Sequence, residues 1–237
     1  MNKEITMQYL GIDINNSDEC KYIAGISYKA FCVIYLPHYF FLEPAEFHHE
    51  LIDILINDEE EAVGVVGFRG SAKSTHCSMA FPLWCALYKR YNFPILINDT
   101  GKQRDLSMQN IKTEIEDNEL IRRDFPQVRN KTDKWTKDAL LLSNGVYLLG
   151  LSRGQKIRGL RHKQYRPDII ICDDLEDLEW VRKKENRDKT ERWFKGEVIP
   201  AQDELKCKMI LIGNMLHNDA LMMRIKKWGY IDLLNFR

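Results

Sequence analysis

The chain has 237 residues, of which 44% are hydrophobic and 30% charged, and its 35 basic and 35 acidic residues give a formal net charge of +0. This length can bury one large core, or a main domain with a small appendage. The balanced charge excludes binding of nucleic acid through a global positive field, so any basic surface must be local.

The six cysteines are widely spaced, with no CxxC pair and no histidine cluster at metal-ligand intervals, which favours a reduced cytosolic setting. No apolar run reaches the ~20 residues that span a bilayer, and the first ten residues lack the apolar centre of a signal peptide. We therefore expect a folded, soluble protein that is neither secreted nor embedded in a membrane.

The predicted elements divide the chain near residue 61. Residues 1–60 have mixed polarity and no clear strand alternation, which predicts helices and loops of a small N-terminal subdomain. Beyond them, short Val- and Ile-rich runs alternate with amphipathic stretches, which is typical of an α/β fold. The predicted strands are 62–66, 94–98, 140–142, 146–149, 168–172 and 208–212. Several are apolar on both faces, which indicates a mostly parallel sheet flanked by helices. Ser143-Asn144-Gly145 predicts one antiparallel hairpin.

A glycine-rich loop follows the first predicted strand and precedes a predicted helix. It resembles the phosphate-binding pattern G-x-x-x-x-G-K-[ST], except that Ala72 replaces the second glycine and Gly70 adds an earlier one. Lys73 would supply a charge to the phosphates and Ser74 a hydroxyl ligand to Mg²⁺, so the pattern predicts ATP and Mg²⁺ as ligands. A turn that precedes a lysine by chance is the alternative. The candidate nucleotide-binding residues here are Gly67, Arg69, Gly70, Ser71, Ala72, Lys73, Ser74 and Thr75.

An acidic cluster, residues 173–177, follows the strand 168–172. A carboxylate at the end of such a strand can hold Mg²⁺, and a neighbouring acid can orient the attacking water, which makes Asp173 the metal candidate. Asp174 and Glu176 are both candidates for the catalytic acid, and the sequence does not separate them. A solvated acidic turn is the alternative. Asn214, after the strand 208–212, is either a γ-phosphate contact or a turn residue.

Basic residues are concentrated between the hairpin and the acidic strand. Arg158 and Arg161 in this stretch could contact DNA phosphates or act as an arginine finger on a neighbouring subunit, and a solvated loop is the alternative. Residues 182–195 mix both charges and predict a solvated helix. The basic residues of the stretch are Arg153, Lys156, Arg158, Arg161, Lys163 and Arg166.

Taken in chain order, these segments resemble the ATPase domain of the large terminase subunit, the DNA-packaging motor of tailed bacteriophages. In that resemblance Arg69 corresponds to the arginine of the phosphate loop, and Arg158 and Arg161 fall where the trans-acting finger arises. Asn214 with the following His217-Asn218-Asp219 resembles the coupling motif.

The resemblance also extends to the N-terminal region and to the acidic cluster. Residues 36–41 and 47–50 resemble the adenine-recognition segment, with Phe41 as the stacking aromatic and His48 where a glutamine is often found. Asp174 stands where the catalytic glutamate is usual.

The resemblance implies a P-loop NTPase fold of the ASCE, RecA-like type, with residues 1–60 as a lid segment and 61–237 as the ATPase core. It implies double-stranded DNA, a portal protein and a small terminase subunit as partners, and the host cytoplasm as the location. A homo-oligomeric ring is expected on assembly, or a monomer in isolation. The family's nuclease domain is expected to be absent, and with it nuclease activity.

Two other functions are compatible with the same motifs. A DNA helicase or remodeller would need further helicase motifs and a second motor domain. A non-catalytic nucleotide-dependent assembly switch would bind ATP and turn it over negligibly.

Overall fold

The computed structural model describes residues 11–59, 61–68, 70–129 and 134–235. The helices are α1 (Ser17–Ile26), α2 (Tyr28–Tyr35), α3 (Glu46–Ile56), α4 (Phe81–Leu87), α5 (Gly101–Asp117), α6 (Glu119–Asp124), α7 (Leu178–Arg182), α8 (Lys184–Trp193) and α9 (Leu221–Lys227). A π-helical segment, Thr75–Ala80, leads into α4; another, Phe194–Val198, and a 3-10 turn, Ile199–Ala201, follow α8. The strands are β1 (Ala62–Val66), β2 (Pro94–Asn98), β3 (Ala139–Leu141), β4 (Tyr147–Ser152), β5 (Ile169–Asp173), β6 (Lys208–Gly213) and β7 (Asp232–Asn235).

The described strands form one seven-stranded sheet in the order β3-β4-β2-β5-β6-β1-β7. Neighbouring strands are parallel except for the antiparallel pair β3 and β4. The predicted mostly parallel α/β sheet is therefore confirmed. The edge strand β7, which pairs with β1, was not predicted. Since β6 lies between β1 and β5, the carboxyl ends of these three strands meet at one edge of the sheet.

Both faces of the sheet are buried, as the apolar runs predict. Alternate residues of β5 fall into two hydrophobic clusters, Ile169 and Ile171 into one, Ile170 and Cys172 into the other. The first cluster also contains apolar residues of α1 to α6. The second contains residues of α9 and of the segment after α8. Helical layers therefore cover the two sides, as expected for a mostly parallel sheet.

Hydrogen-bonding side chains define where the N-terminal helices begin. Asn16 accepts from the backbone N–H of Glu19 at the start of α1, and Ser27 accepts from that of Ala30 at the start of α2. Such caps satisfy the backbone donors of the first helical turn. Aromatic residues of α2 then join the cluster on the sheet, and the indole Nε1 of Trp84 donates to the Ala24 carbonyl at 2.8 Å. Residues 1–10 and 60 of the predicted N-terminal segment lie outside the described residues.

The predicted hairpin is confirmed. Leu142 and Gly145 form the turn, in which the Gly145 N–H donates to the Leu142 carbonyl at 3.0 Å. Gly145 has φ +90°, a value that glycine adopts without strain. The second strand of the hairpin spans 147–152 instead of the predicted 146–149, and it ends later because residues 149–152 pair with β2.

The interpretation of residues 182–195 as a solvated helix is confirmed in part, because α8 is helical and exposes Lys184, Lys189 and Arg192. The stretch breaks at Lys183, between α7 and α8, and it buries Arg187, Thr190 and Phe194. Arg187 is buried because its guanidinium donates to the Val181 carbonyl and pairs with Asp219 at 3.0 Å. The mixed charges of the stretch suggested a solvated helix, but the partners of Arg187 compensate the cost of burying its charge.

Among the described residues, no helix has both the length and the apolar character that crossing a membrane requires.

Candidate functional site

The carboxyl edge of the sheet brings three predicted segments together. β1 ends at Val66 before the glycine-rich loop, β6 ends at Gly213 before Asn214, and β5 ends at Asp173. In open α/β sheets, ligands bind outside the carboxyl ends of the strands. This edge is therefore the candidate functional site.

The glycine-rich loop folds closely around Lys73. A Cβ atom added at Gly67 would lie 3.0 Å from Lys73 Cδ, so this glycine allows a close approach. Gly70 has φ +80° and Ala72 has φ +54°, both in the left-handed region. Ala72 thus adopts a left-handed conformation that glycine reaches without strain, at a cost of about 1–2 kcal/mol for an L-residue. Arg69 lies outside the described residues.

Lys73 is held at the centre of this loop and is only 7% exposed. Its Nζ donates to the carbonyls of Gly67 at 3.1 Å and Phe68 at 2.8 Å, and to Ser71 Oγ at 3.1 Å. Burial lowers the pKa of the ammonium, and the carboxylates of Asp174 and Asp173 oppose that shift. The loop therefore holds a buried positive charge, in contact with two carbonyls and a hydroxyl, at the carboxyl edge of the sheet.

A hydrogen bond joins the loop to the acidic strand. Ser74 Oγ, at the start of the π-helical segment, donates to Asp173 Oδ1 at 3.1 Å across 99 positions of sequence. Ser78, one turn later, donates to Asp173 Oδ2 at 2.7 Å. Burial is the main cause that raises the pKa of Asp173 to about 6, with repulsion from Asp174 adding to it. Thr75 is half-buried at the first position of the segment.

Ser78 is a site residue that the sequence analysis missed. The signal was its spacing of four from Ser74, which places both hydroxyls on one side of a helix. Its partner, the carboxylate of Asp173, could not be assigned from the sequence, because the contact depends on how the π-helical segment packs against the end of β5.

The side-chain oxygen atoms of Ser74 and Asp173 are suitable ligands for a small divalent cation. Mg²⁺ takes oxygen ligands, keeps several waters, and is commonly held by one or two protein groups together with substrate phosphates. The Ser74 hydroxyl and the Asp173 carboxylate meet here. Asp173 also accepts a hydrogen bond from the Ser78 hydroxyl, which orients the carboxylate. Within the described ranges, no group of three or more His, Cys, Asp or Glu residues forms a protein-only metal site.

Asp174 and Glu176 have different surroundings. Asp174 has φ +45°, its N–H donates to the Ile212 carbonyl at 2.9 Å, and its Oδ1 lies 3.4 Å from Asn214 Nδ2. Glu176 is 9% exposed and its Oε2 accepts from the N–H of Leu221 at 2.7 Å, at the start of α9. Burial raises the pKa of Glu176.

A cavity of about 300 Å³ opens beside these acids, at the same edge of the sheet. Asp174, Glu176 and Asn214 line it together with Asp99 and Gln103. The predicted tip of β6 and both candidate acids therefore share one space.

His48 contacts the glycine-rich loop. Its Nδ1 accepts from the N–H of Ala45, so Nε2 carries the proton and donates to the Ser71 carbonyl at 3.1 Å. Burial lowers the pKa of this histidine, which favours the neutral ring. Phe41 is 62% exposed. Of the two residues predicted to recognise adenine, the structure thus joins His48 to the loop and leaves the Phe41 ring accessible.

The basic stretch divides into exposed and half-buried residues. Arg158 and Arg161 are exposed, on a loop that Glu197 holds by accepting from the N–H groups of Ile157 and Arg158. Arg153 instead turns inward, with its Nη2 atom 2.7 Å from Asp99 Oδ1. The structure thus brings Arg153 to the candidate site, whereas Arg158 and Arg161 face outward.

Comparison with known proteins identifies the architecture. No protein-family model matches the sequence, and no curated protein matches it. Among solved structures, the chain is similar to the ATPase domain of the large terminase of Thermus phage P74-26, in an arginine-to-alanine variant. The identity is 12% and the TM-score 0.51, over 75% of this chain and 67% of that one. At this identity the likeness shows the fold, an α/β architecture shared with a terminase ATPase domain.

Proposed function

We propose that this chain is a P-loop ATPase of the ASCE, RecA-like type. The observation that carries the proposal is the hydrogen bond from Ser74 Oγ to Asp173 Oδ1, at the carboxyl edge of a parallel sheet. It joins the hydroxyl of a glycine-rich loop to the acid of a strand separated from it by one intervening strand. Nucleotide hydrolases use this pair of groups to hold Mg²⁺ beside the phosphates.

In this proposal the loop binds the phosphates of ATP. Lys73 Nζ would exchange its contacts with the loop carbonyls for phosphate oxygens, and the N–H groups near Gly70 and Ala72 would complete the cradle. Ser74 and Asp173 would hold Mg²⁺, which would supply positive charge against the negative charge that develops on the phosphates. The exposed ring of Phe41 remains our candidate for stacking on adenine.

We assign the water-orienting role to Asp174 in preference to Glu176. The carboxylate of Asp174 stabilises the charge of Lys73 and lies near Asn214, so it faces the phosphate side of the edge. Oε2 of Glu176 accepts a hydrogen bond from the N–H of Leu221, which links the acidic cluster to α9. A general base has to come within hydrogen-bond reach of the attacking water. Asp174→Asn should therefore reduce turnover more than Glu176→Gln.

At a finer level, we propose that the ATPase drives packaging of double-stranded DNA as a terminase large-subunit motor. The fold likeness and the order of the motifs support this role. In a ring of identical subunits, Arg158 or Arg161 would reach the nucleotide of a neighbour, since both are exposed on a loop that Glu197 holds. A portal protein, a small terminase subunit and the host cytoplasm belong to the same proposal.

The test is steady-state phosphate release by the wild-type chain and by Lys73→Ala and Asp173→Ala, with and without double-stranded DNA. We expect slow release by the wild type, acceleration under conditions that favour rings, and loss in both variants. Equal, near-zero rates in all proteins would exclude an ATPase and favour a nucleotide-dependent switch. If Arg158→Ala and Arg161→Ala both match the wild type in rings, the trans-acting finger is excluded.

A further inference from the structure

Arg153 connects the ends of adjacent strands at the candidate site. It directly follows β4, and its backbone N–H donates to the Asn98 carbonyl of β2 at 2.9 Å. The Nη2 atom of its guanidinium lies 2.7 Å from Oδ1 of Asp99, the residue after β2. Its Nη1 atom donates at 2.7 Å to the carbonyl of Leu175, which lies just after β5. The side chain is 12% exposed and that of Asp99 is 5% exposed.

A third contact fixes the plane of this guanidinium. Its central carbon lies 3.7 Å from the centroid of the Trp180 ring, on α7. The indole is itself held, because its Nε1 donates to Thr190 Oγ1 at 2.9 Å. A planar fork that stacks on an indole, donates to a carbonyl and pairs with a carboxylate is a geometry that lysine cannot reproduce.

The Leu175 carbonyl lies between the two candidate acids in sequence. On its amino side, Asp174 has φ +45°, and its N–H is held by the Ile212 carbonyl of β6. An L-residue keeps such a conformation only when its surroundings enforce it. The acidic cluster is thus held from β6 through Asp174 and from β4 through Arg153.

The contacts of Arg153 differ from those of the other basic residues in its stretch. Lys156, Arg158 and Arg161 are exposed, where a partner can reach them. Arg153 faces inward, and the acids Asp99, Glu176 and Asp177 stabilise its charge against burial, which lowers its pKa. Its role therefore concerns its own subunit.

We propose that Arg153 is a positioning residue, which holds the acidic cluster so that Asp174 faces the phosphates. This inference rests on the proposed ATPase function. It predicts that the loss of the guanidinium fork reduces the rate of the chemical step while nucleotide binding through Lys73 and Ser74 is retained.

The experiment compares Arg153→Lys with Arg90→Lys in steady-state ATP hydrolysis and thermal unfolding. Arg90 is a matched control, because its guanidinium also lies 3.7 Å over an indole, that of Trp84, and also donates to a backbone carbonyl, that of Gly25. It follows α4 at the opposite edge of the sheet, before β2. Because Arg90 is exposed and the Arg153 side chain is only 12% exposed, Arg153→Lys should lose more thermal stability, and kcat is therefore compared at a temperature at which both variants are folded.

We expect Arg153→Lys to lower kcat at least tenfold with KM for ATP within threefold of wild type, and Arg90→Lys to keep kcat within twofold. Equal kcat in the two variants would overturn the positioning role. A wild-type chain that releases no phosphate would overturn the proposed function and this inference together. If Arg153→Lys does not fold, Arg153→Gln, which keeps the polar stem and lacks the guanidinium fork, is measured against the same criteria.

Discussion

Replacing Ala72 by glycine is expected to stabilise the protein. Ala72 is half-buried in the phosphate loop and has φ +54°, where its Cβ approaches the following carbonyl oxygen. Glycine has no Cβ and adopts this conformation without strain. The substitution removes no hydrogen bond, because alanine has no polar side-chain atom.

Two opposing terms set the size of the effect. Relief of the left-handed conformation contributes about 1–2 kcal/mol, and the greater freedom of glycine in the unfolded chain removes about 0.4–1 kcal/mol. The net gain is then roughly 0–1.6 kcal/mol, and about 0.8 kcal/mol at the midpoints of the two ranges. For a chain of this size the melting temperature changes by about 2–4 °C per kcal/mol, so we expect a rise of about 1–4 °C.

Thermal unfolding followed by circular dichroism measures this shift, and Ala62→Gly serves as the control. Ala62 is also half-buried, but it lies in β1, where glycine lowers stability by about 0.5–1 kcal/mol. The two substitutions should therefore shift the melting temperature in opposite directions. A fall in both proteins would refute the argument from left-handed strain.

Three further predictions concern charge and hydrogen bonding. Burial raises the pKa of Asp173 to about 6, from 3.8, so the stability gained by protonation is fully present below about pH 4 and is lost as the pH rises through 6. Asp173→Asn should accordingly raise the melting temperature more at pH 8 than at pH 4.5, and equal shifts in scanning calorimetry would contradict this. His48→Asn keeps an acceptor for the start of α3 but cannot reach the Ser71 carbonyl, so it should weaken ATP binding by about 3–10-fold, the value of one hydrogen bond; unchanged affinity in a fluorescence titration would be evidence against the contact. Arg224→Met removes a guanidinium that is 10% exposed and contacts three carboxylates, so it should lower the free energy of unfolding in urea by about 2–4 kcal/mol. Lys184→Met, at a 76% exposed side chain, should cause no measurable change, and similar losses in the two variants would contradict the difference in burial.

Local signals were sufficient to predict much of the fold. The runs of Val and Ile at 62–66, 94–98 and 168–172 correspond to β1, β2 and β5 within one residue, because strands buried on both faces need continuous apolar side chains. The hairpin followed from Asn144-Gly145, whose turn geometry depends on neighbouring residues alone. By contrast, β7 has only four residues, and its place beside β1 depends on a partner far away in sequence.

The candidate site was predictable in its parts and less so in its contacts. Lys73, Ser74 and Asp173 were identified from residue types after strands, and the parallel sheet brings them to one edge. The contact of His48 with the Ser71 carbonyl could not be predicted, because it depends on how α3 packs against the loop.

The sequence by itself determined the chemistry available to this protein: a glycine-rich loop with a lysine, a strand that ends in acids, and a basic stretch between them. These depend on residue type and short spacing, which are local properties of the chain. Only the tertiary structure decided how similar residues differ. It separates Asp174 from Glu176 by giving the latter a helix N–H as partner, and it turns Arg153 inward while Arg158 stays exposed. The physical reason is that burial and hydrogen-bond partners arise from residues distant in sequence, once the strand ends of the sheet meet.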